Sequence, residues 1–367
     1  MCKGLFVVLF AIICLLLFSF SVCAIDISAK SAVLIEPQCG DVIFEKNANE
    51  RLPMASTTKI MTAIVVIENA PLDKTVKIEP YMTGVEGSSI YLKVGEELTV
   101  KELLYALMLE SANDAAVALA YTVGGSIEGF AQMMNDKATT LGLTSTHFEN
   151  PHGLDSKNHY TTAKELGIIA SYAMKNQVFA EIASTAKMSI SSADGDGKRL
   201  LVNHNRLLRT YDGANGVKTG FTKRCGRCLV SSALRNGVSL ICVTLSAPND
   251  WQDHQKLLDY GYERLVNIDL ASKGEYDIEL STVNGQKASV LATNSRGLSV
   301  TLHRESINIS AVLEANRLIC APIYEGEQLG KIVFYNNGSK IGEVPIVATE
   351  TVRSIKYKKS ILERIFG

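Results

Sequence analysis

The feature that most restricts this chain is a change of hydrophobic period between residues 28 and 266. Short β-branched runs stand at both ends of that segment, and helical repeats fill its middle. "SAVLIE" and "DVIFEKN" have strand length and are separated by Pro37 and Gly40, a hairpin signature. Helical patterns follow around Thr57 to Asn69, Val100 to Thr122, Ile127 to Thr140 and Ala163 to Lys175. In the second of these, Leu103, Leu104, Leu107, Met108, Ala115 and Leu119 recur near the helical period. "GRCLVSSALRNGVSLICVTLSA" returns to strands on either side of Arg235-Asn236-Gly237, and a last helix runs from about Asp253 to Leu265. Strands at both ends with helices between them predict an α+β layered domain whose terminal strands share one sheet. With 47% hydrophobic and 20% charged residues, the chain has ample apolar material for that core.

After Asn267 the texture becomes "YDIEL", "GLSVTLHR", "INISAVL" and "KIVFYNNGSKIGEV", alternating apolar and polar residues between closely spaced turns. Residues 267–350 therefore read as a small all-β domain, with Asn337-Gly338 as a tight hairpin turn. It carries no cluster of acid, base and nucleophile, so the chemistry is expected in residues 25–266. The tail, 351–367, places Ile355, Ile361, Leu362, Ile365 and Phe366 on one helical face beside Lys356, Lys358, Lys359 and Arg364. That composition fits an amphipathic anchor at a membrane surface. Residues 1–24 combine Lys3, an apolar run from Leu5 to Phe20, and small residues at Val22-Cys23-Ala24. They read as an export signal cleaved after Ala24, which puts the bulk of the protein outside the cytoplasmic membrane.

A formal net charge of −1 leaves no electrostatic footprint for nucleic acid at the scale of the whole chain. Removing the signal leaves Cys39, Cys225, Cys228, Cys242 and Cys320, an odd and irregular set that makes no disulfide framework. Cys225-Gly-Arg-Cys228 has CxxC spacing, but no second CxxC and no His pair completes a zinc site. The pair reads as small buried residues beside a strand, and no metal or cofactor is expected.

Within the apolar run "PMASTTKIMTAI", Ser56 and Lys59 form an S-x-x-K pair. On a helix that spacing puts both side chains on one face, within reach of each other. A serine hydroxyl is a poor nucleophile until a base takes its proton. A lysine serves as that base when burial and a neighbouring cation lower its pKa. Two further strings supply matching parts: Ser111-Ala112-Asn113 in "LMLESANDAAVAL", and Lys218-Thr219-Gly220 in "GANGVKTGFTKRCGRCLVSSA". Lys218 provides the second cation. Asn113 suits Lys59 and a substrate amide, Ser111 a proton relay to the leaving amine, and Thr219 a substrate carboxylate. Gly220 lets an edge strand approach the substrate backbone closely.

Together and in this order the three strings resemble the serine acyl-transferases that include penicillin-binding proteins and class A β-lactamases. The fuller resemblance is to the serine-type D-alanyl-D-alanine carboxypeptidases, the low-molecular-weight penicillin-binding proteins. It extends through "LPMASTTKIMTA", "VEGSSIYLKVGEELTVKELLYALMLESANDAAVALA", "FENPHGLDSKNHYTTAKELGIIA" and "GVKTGFTKRCGRCLVSSA", with Ser88 near the site. The resemblance implies the family's penicillin-binding-protein/β-lactamase-like domain, an antiparallel sheet with helices, followed by the small β-domain. It implies removal of the terminal D-alanine from peptidoglycan stem peptides through an acyl-enzyme on Ser56, with β-lactams as covalent inhibitors. It also implies an oxyanion hole made by the backbone N–H groups of Ser56 and Phe221.

The chain departs from the family's pattern in two places. Some members carry a basic residue beyond the third motif that meets the substrate carboxylate; here "SAPNDWQDHQKLL" offers Trp251, which leaves Thr219 and Lys218 for that task. Cys225 stands where a small residue such as alanine is expected. Two rivals remain at this point: a class A-like β-lactamase, and a catalytically silent wall-binding protein that keeps the fold. The first needs a glutamate to activate the deacylating water, and Glu149-Asn150-Pro151 lacks the expected spacing to an asparagine. The intact Ser56, Lys59, Ser111, Asn113 and Lys218 argue against the second.

Overall fold

The structure is a computed structural model that describes residues 25–192 and 197–356. The expected export signal, 1–24, and the last part of the expected anchor, 357–367, lie outside the described residues. β1 (Ser31–Ile35) and β2 (Val42–Lys46) form the first hairpin. Two short ladders follow: β3 (Thr75–Lys77) with β4 (Glu97–Thr99), and β5 (Lys187–Ser191) with β6 (Lys198–Val202). β7 (Ala214–Thr222), β8 (Gly226–Arg235) and β9 (Val238–Leu245) complete the main sheet in the order β2-β1-β9-β8-β7, antiparallel throughout. The terminal strands therefore share one sheet, and β7 is left as an edge. Asn236 and Gly237 join β8 to β9 with φ of 48° and 79°, the positive pair that a type I′ turn demands.

Helices cover both faces of this sheet. On one side lie α1 (Lys59–Asn69), α2 (Val100–Leu109), α3 (Asn113–Gly124), α4 (Ile127–Thr140), α5 (Ala163–Met174) and α6 (Gln177–Ser184). The one-turn α7 (Leu207–Thr210) precedes β7, and α8 (Asp250–Arg264) packs Leu257 and Leu258 against Leu34, Leu229 and Leu240 on the other side. α1 is the central helix: every residue from Lys59 to Val66 is buried. A helix apolar all round belongs in a core, so the lysine at its start is conspicuous.

The structure corrects one expected element. The continuous helix anticipated over Val100 to Thr122 is two helices, broken at Glu110-Ser111-Ala112. Ser111 takes the left-handed conformation (φ 59°), which no α-helix continues through. Apolar residues run on across the break, because both helices are buried, Leu103 to Leu109 in the first and Asn113 to Ala120 in the second, and so the pattern alone conceals it.

β10 (Leu265–Ala271) leaves α8 directly and pairs with β13 (Leu298–His303). A six-stranded sheet follows in the order β14-β16-β17-β12-β11-β15, formed by β11 (Ile278–Val283), β12 (Ser289–Asn294), β14 (Ile309–Ala315), β15 (Leu318–Cys320), β16 (Gln328–Asn336) and β17 (Ser339–Ala348). Its core gathers Val290, Phe334, Val344 and Ile346. Isolated bridges tie Val352 to Ile323 and Ser354 to Gly285. Residues 352 and 354 thus stay with the sheet rather than with the amphipathic tail expected from 351. Among the described residues no helix is long and apolar enough to cross a membrane.

Candidate active site

The site is built from four pieces of chain. Ala55–Thr58 form a single 3₁₀ turn that runs straight into α1. Ser56 lies on the turn and Lys59 opens the helix, so the three-residue spacing brings Lys59 Nζ to 3.1 Å from Ser56 Oγ. Lys59 is fully buried, and Nζ also donates to Asn113 Oδ1 (2.6 Å) and to the carbonyl of His152 (2.7 Å). Those two partners only accept, whereas the serine hydroxyl can give a proton as well. A neutral Lys59 therefore satisfies both carbonyls with its two N–H groups and turns its lone pair to Ser56. Burial drives the Lys59 pKa well below its ordinary value, and the nearby Lys218 cation lowers it further against an opposing pull from Asp114.

The break between α2 and α3 supplies the second piece. The N-cap of α3 is Ala112, with no side-chain cap, so Ser111 and Asn113 are not there to cap a helix. Instead the Asn113 backbone N–H donates to Ser88 O (2.7 Å) and its Nδ2 donates to Glu86 O (2.6 Å), which leaves Oδ1 for Lys59. Asp114 accepts from Ser89 Oγ (2.6 Å), Leu92 N (3.0 Å) and Ile90 N (3.3 Å), pinning the loop that carries Ser88.

β7 is the third piece. Lys218 is 1% exposed, and its Nζ donates to Thr219 O (3.0 Å). Burial lowers its pKa to about 7, with Glu110 opposing. A Cβ at Gly220 would meet the backbone nitrogens of Ser56 and Thr57 at 3.0 and 3.1 Å, so only glycine admits so close an approach of strand to nucleophile turn.

The fourth piece is the loop at 149–155, which props the turn from below. Glu149 N–H donates to His159 Nδ1 (3.0 Å), which fixes the proton on Nε2; that nitrogen donates to Thr58 Oγ1 (2.8 Å), which donates to Ala55 O (2.8 Å). Burial pushes the His159 pKa down to about 4, keeping the ring neutral for this chain of bonds. Thr62 Oγ1 holds Pro151 O at 2.6 Å. Gly153 has φ 87°, and a Cβ there would lie 2.0 Å from Ala55 O. Gly153→Ala is accordingly expected to destabilise the protein by at least about 2 kcal/mol, from the strained φ and the displaced turn. Urea unfolding measures the loss; an unchanged midpoint contradicts the packing described here.

These pieces enclose a cavity of about 300 Å³ lined by Ser56, Ser88, Ser111, His204, Thr219, Gly220, Phe221, Arg227, Asp250 and Trp251. Lys59 and Lys218 lie buried beside it. All the residues singled out from the sequence thus occur around one site: Ser56, Lys59, Ser111 and Asn113 with Lys218, Thr219, Gly220, Phe221 and Ser88. Sequence reasoning missed His204, Arg227 and Asp250. Arg227 is the inner Arg of the CxxC string, and only the β7–β8 register, which sets it opposite Phe221, brings it to the cavity.

A family model described as D-alanyl-D-alanine carboxypeptidase matches residues 19–249, more than half of the chain. The chain belongs to the D-alanyl-D-alanine carboxypeptidase family. A second model, the penicillin-binding protein 5 C-terminal domain, matches residues 267–354. The D-alanyl-D-alanine carboxypeptidase DacF of Bacillus subtilis is 34% identical over 351 residues, covering 92% of this chain and 89% of its own. Penicillin-binding protein 5 of Haemophilus influenzae, a solved structure 27% identical, superposes with a TM-score of 0.66 over 90% of this chain and 98% of its own. A Streptococcus pneumoniae structure, a peptidoglycan synthesis regulatory factor (PBP3), shares the fold at 23% identity and a TM-score of 0.75, covering 89% of this chain and 100% of its own.

Membership of this carboxypeptidase family disfavours the β-lactamase alternative, and the geometry agrees. Glu149 is spent on Ser156 and Asn158 and does not line the cavity. His152 contributes its backbone carbonyl to Lys59, while burial holds its ring neutral, with the pKa lowered to about 3. Cys225 and Cys228 are buried free thiols, and among the described residues no group of side chains is arranged to hold a metal.

Proposed function

We propose that the cavity takes the C-terminal D-Ala-D-Ala of a peptidoglycan stem peptide and that Ser56 cleaves its last peptide bond. Neutral Lys59 removes the Ser56 proton as Oγ attacks the penultimate carbonyl carbon. The backbone N–H groups of Ser56 and Phe221 receive the oxyanion, a placement that the close approach at Gly220 supports. The C–N bond then breaks, Ser111 passes a proton to the leaving amine, and D-alanine departs. Water hydrolyses the remaining ester and restores Ser56. The observation that carries this reading is Lys59 Nζ at 3.1 Å from Ser56 Oγ, with two acceptor-only carbonyls as its other partners.

A β-lactam presents a strained amide in place of the dipeptide and acylates the same oxygen. Benzylpenicillin is therefore expected to add its mass to the wild-type protein and not to Ser56→Ala, alongside D-alanine release from diacetyl-L-Lys-D-Ala-D-Ala. An adduct of equal yield on Ser56→Ala defeats the assignment of the nucleophile. Residues 1–24 direct export, residues 25–266 form the catalytic domain, the β-domain from 267 through the bridges at Val352 and Ser354 holds it off the surface, and the basic tail beyond them rests on the outer face of the cytoplasmic membrane. The apolar run from Leu5 to Phe20 and the lysines at 356, 358 and 359 support that placement.

A further inference from the structure

We propose that Arg227, held in place by Asp250, grips the free C-terminal carboxylate of the substrate and thereby confines cleavage to the terminal peptide bond. This rests on the reading of the cavity given above. Residues directly opposite in an antiparallel pair point to the same face, as do residues two apart on one strand. Phe221 faces Arg227 across the β7–β8 ladder, and Thr219 faces Leu229. Arg227 is thus the diagonal neighbour of Thr219 on the face that lines the cavity, a separation of about 7–8 Å between backbone positions that a long side chain spans. A carboxylate lying along β7 meets the Thr219 hydroxyl from one side and the guanidinium from the other.

The rival cations are poorly placed. Lys218 is 1% exposed and donates to Thr219 O, and His204 is turned to Glu110 at 3.1 Å. Arg227 keeps 45% of its side chain exposed. Its Nε–H donates to Asp250 Oδ1 at 2.9 Å, and among the described residues no other hydrogen bond engages the guanidinium. The outer N–H groups are therefore free to form the paired bonds that arginine makes to carboxylates. Asp250 is itself 3% exposed and accepts from Trp251 N (3.0 Å), so the arginine is aimed from a fixed base. Where α8 meets the cavity it presents Asp250 and Trp251 and no basic side chain. Here the cation comes from β8 instead, and the acid beside the tryptophan orients it.

The test compares diacetyl-L-Lys-D-Ala-D-Ala with its C-terminal amide in the wild type, Arg227→Gln and Arg227→Lys. The wild type is expected to favour the free acid in kcat/KM by about 10- to 100-fold, the range of a charge-assisted bond. Arg227→Gln loses that factor on the acid while changing the amide less than about twofold, and Arg227→Lys recovers part of it. Equal losses on both substrates assign Arg227 to folding alone, and no loss on either means another group holds the carboxylate; both overturn the proposal. Thermal midpoints of the variants separate misfolding from loss of recognition. A wild type that neither releases D-alanine nor gains mass from benzylpenicillin overturns the underlying reading, and this assignment with it.

Discussion

Lys59→Met is expected to fold and yet to be acylated by benzylpenicillin about 10³-fold more slowly than the wild type, or slower still. Methionine matches the stem of the lysine inside a helix whose face is wholly buried, so the packing survives. Two acceptors, Asn113 Oδ1 and His152 O, lose their donor, at a cost of about 1–3 kcal/mol each. Removing an amine that is expensive to bury offsets part of that cost. The base has no substitute: Lys218 is directed to Thr219 O, and the nearby histidine rings are held by other partners. In the wild type the acylation rate rises with pH as Lys59 loses its proton, and because its pKa is depressed that limb falls far below the usual lysine range. The methionine variant lacks the limb. Rates followed by the mass of the acyl-enzyme across pH decide the matter. A variant within about tenfold of wild type, with the limb intact, assigns the proton to another group.

The domain plan was legible because period and turn chemistry are local. The two-residue alternation at both ends, the helical repeats between them and Asn236-Gly237 all report backbone state directly. The three strings around Ser56, Asn113 and Lys218 were legible for a chemical reason: few other tasks call for a serine, two lysines and an amide in that company. What stayed hidden depends on contacts between distant segments. Ser111 breaks a helix with neither glycine nor proline, since Asn113 N–H bonding to Ser88 O holds the turn from outside. The role of His152 rests on its carbonyl, which carries no side-chain signature. The β5–β6 pair and the short α6 also went unread, although Phe179, Ile182 and Ala183 of α6 carry the helical spacing. Arg227 lay inside a CxxC string, where the thiol spacing draws attention to the two buried residues and away from the one that faces the cavity.

Lys218→Met is expected to abolish useful turnover and, at pH 6, to make the protein more stable than the wild type by roughly a few kcal/mol. The two effects share one cause. A lysine that is 1% exposed, with a carbonyl and, among the described residues, no carboxylate bonded to its Nζ, is costly to keep charged, and burial has brought its pKa down to about 7. In the unfolded chain the same group titrates near 10.5. Below pH 7 both states carry the proton, and the folded state bears the whole penalty. Between pH 7 and 10.5 the unfolded state binds the proton and the folded state does not, so wild-type stability rises with pH through that window. The advantage of the methionine variant should therefore be largest near pH 6 and shrink steadily by pH 9, where the wild type has escaped part of the cost. Denaturant unfolding at the two pH values gives the difference directly. A variant less stable than wild type at pH 6 means that the bond to Thr219 O outweighs desolvation, and the lysine is then structural. The expected sign instead makes Lys218 a group kept against stability, because its charge depresses the Lys59 pKa and readies that amine to take the Ser56 proton.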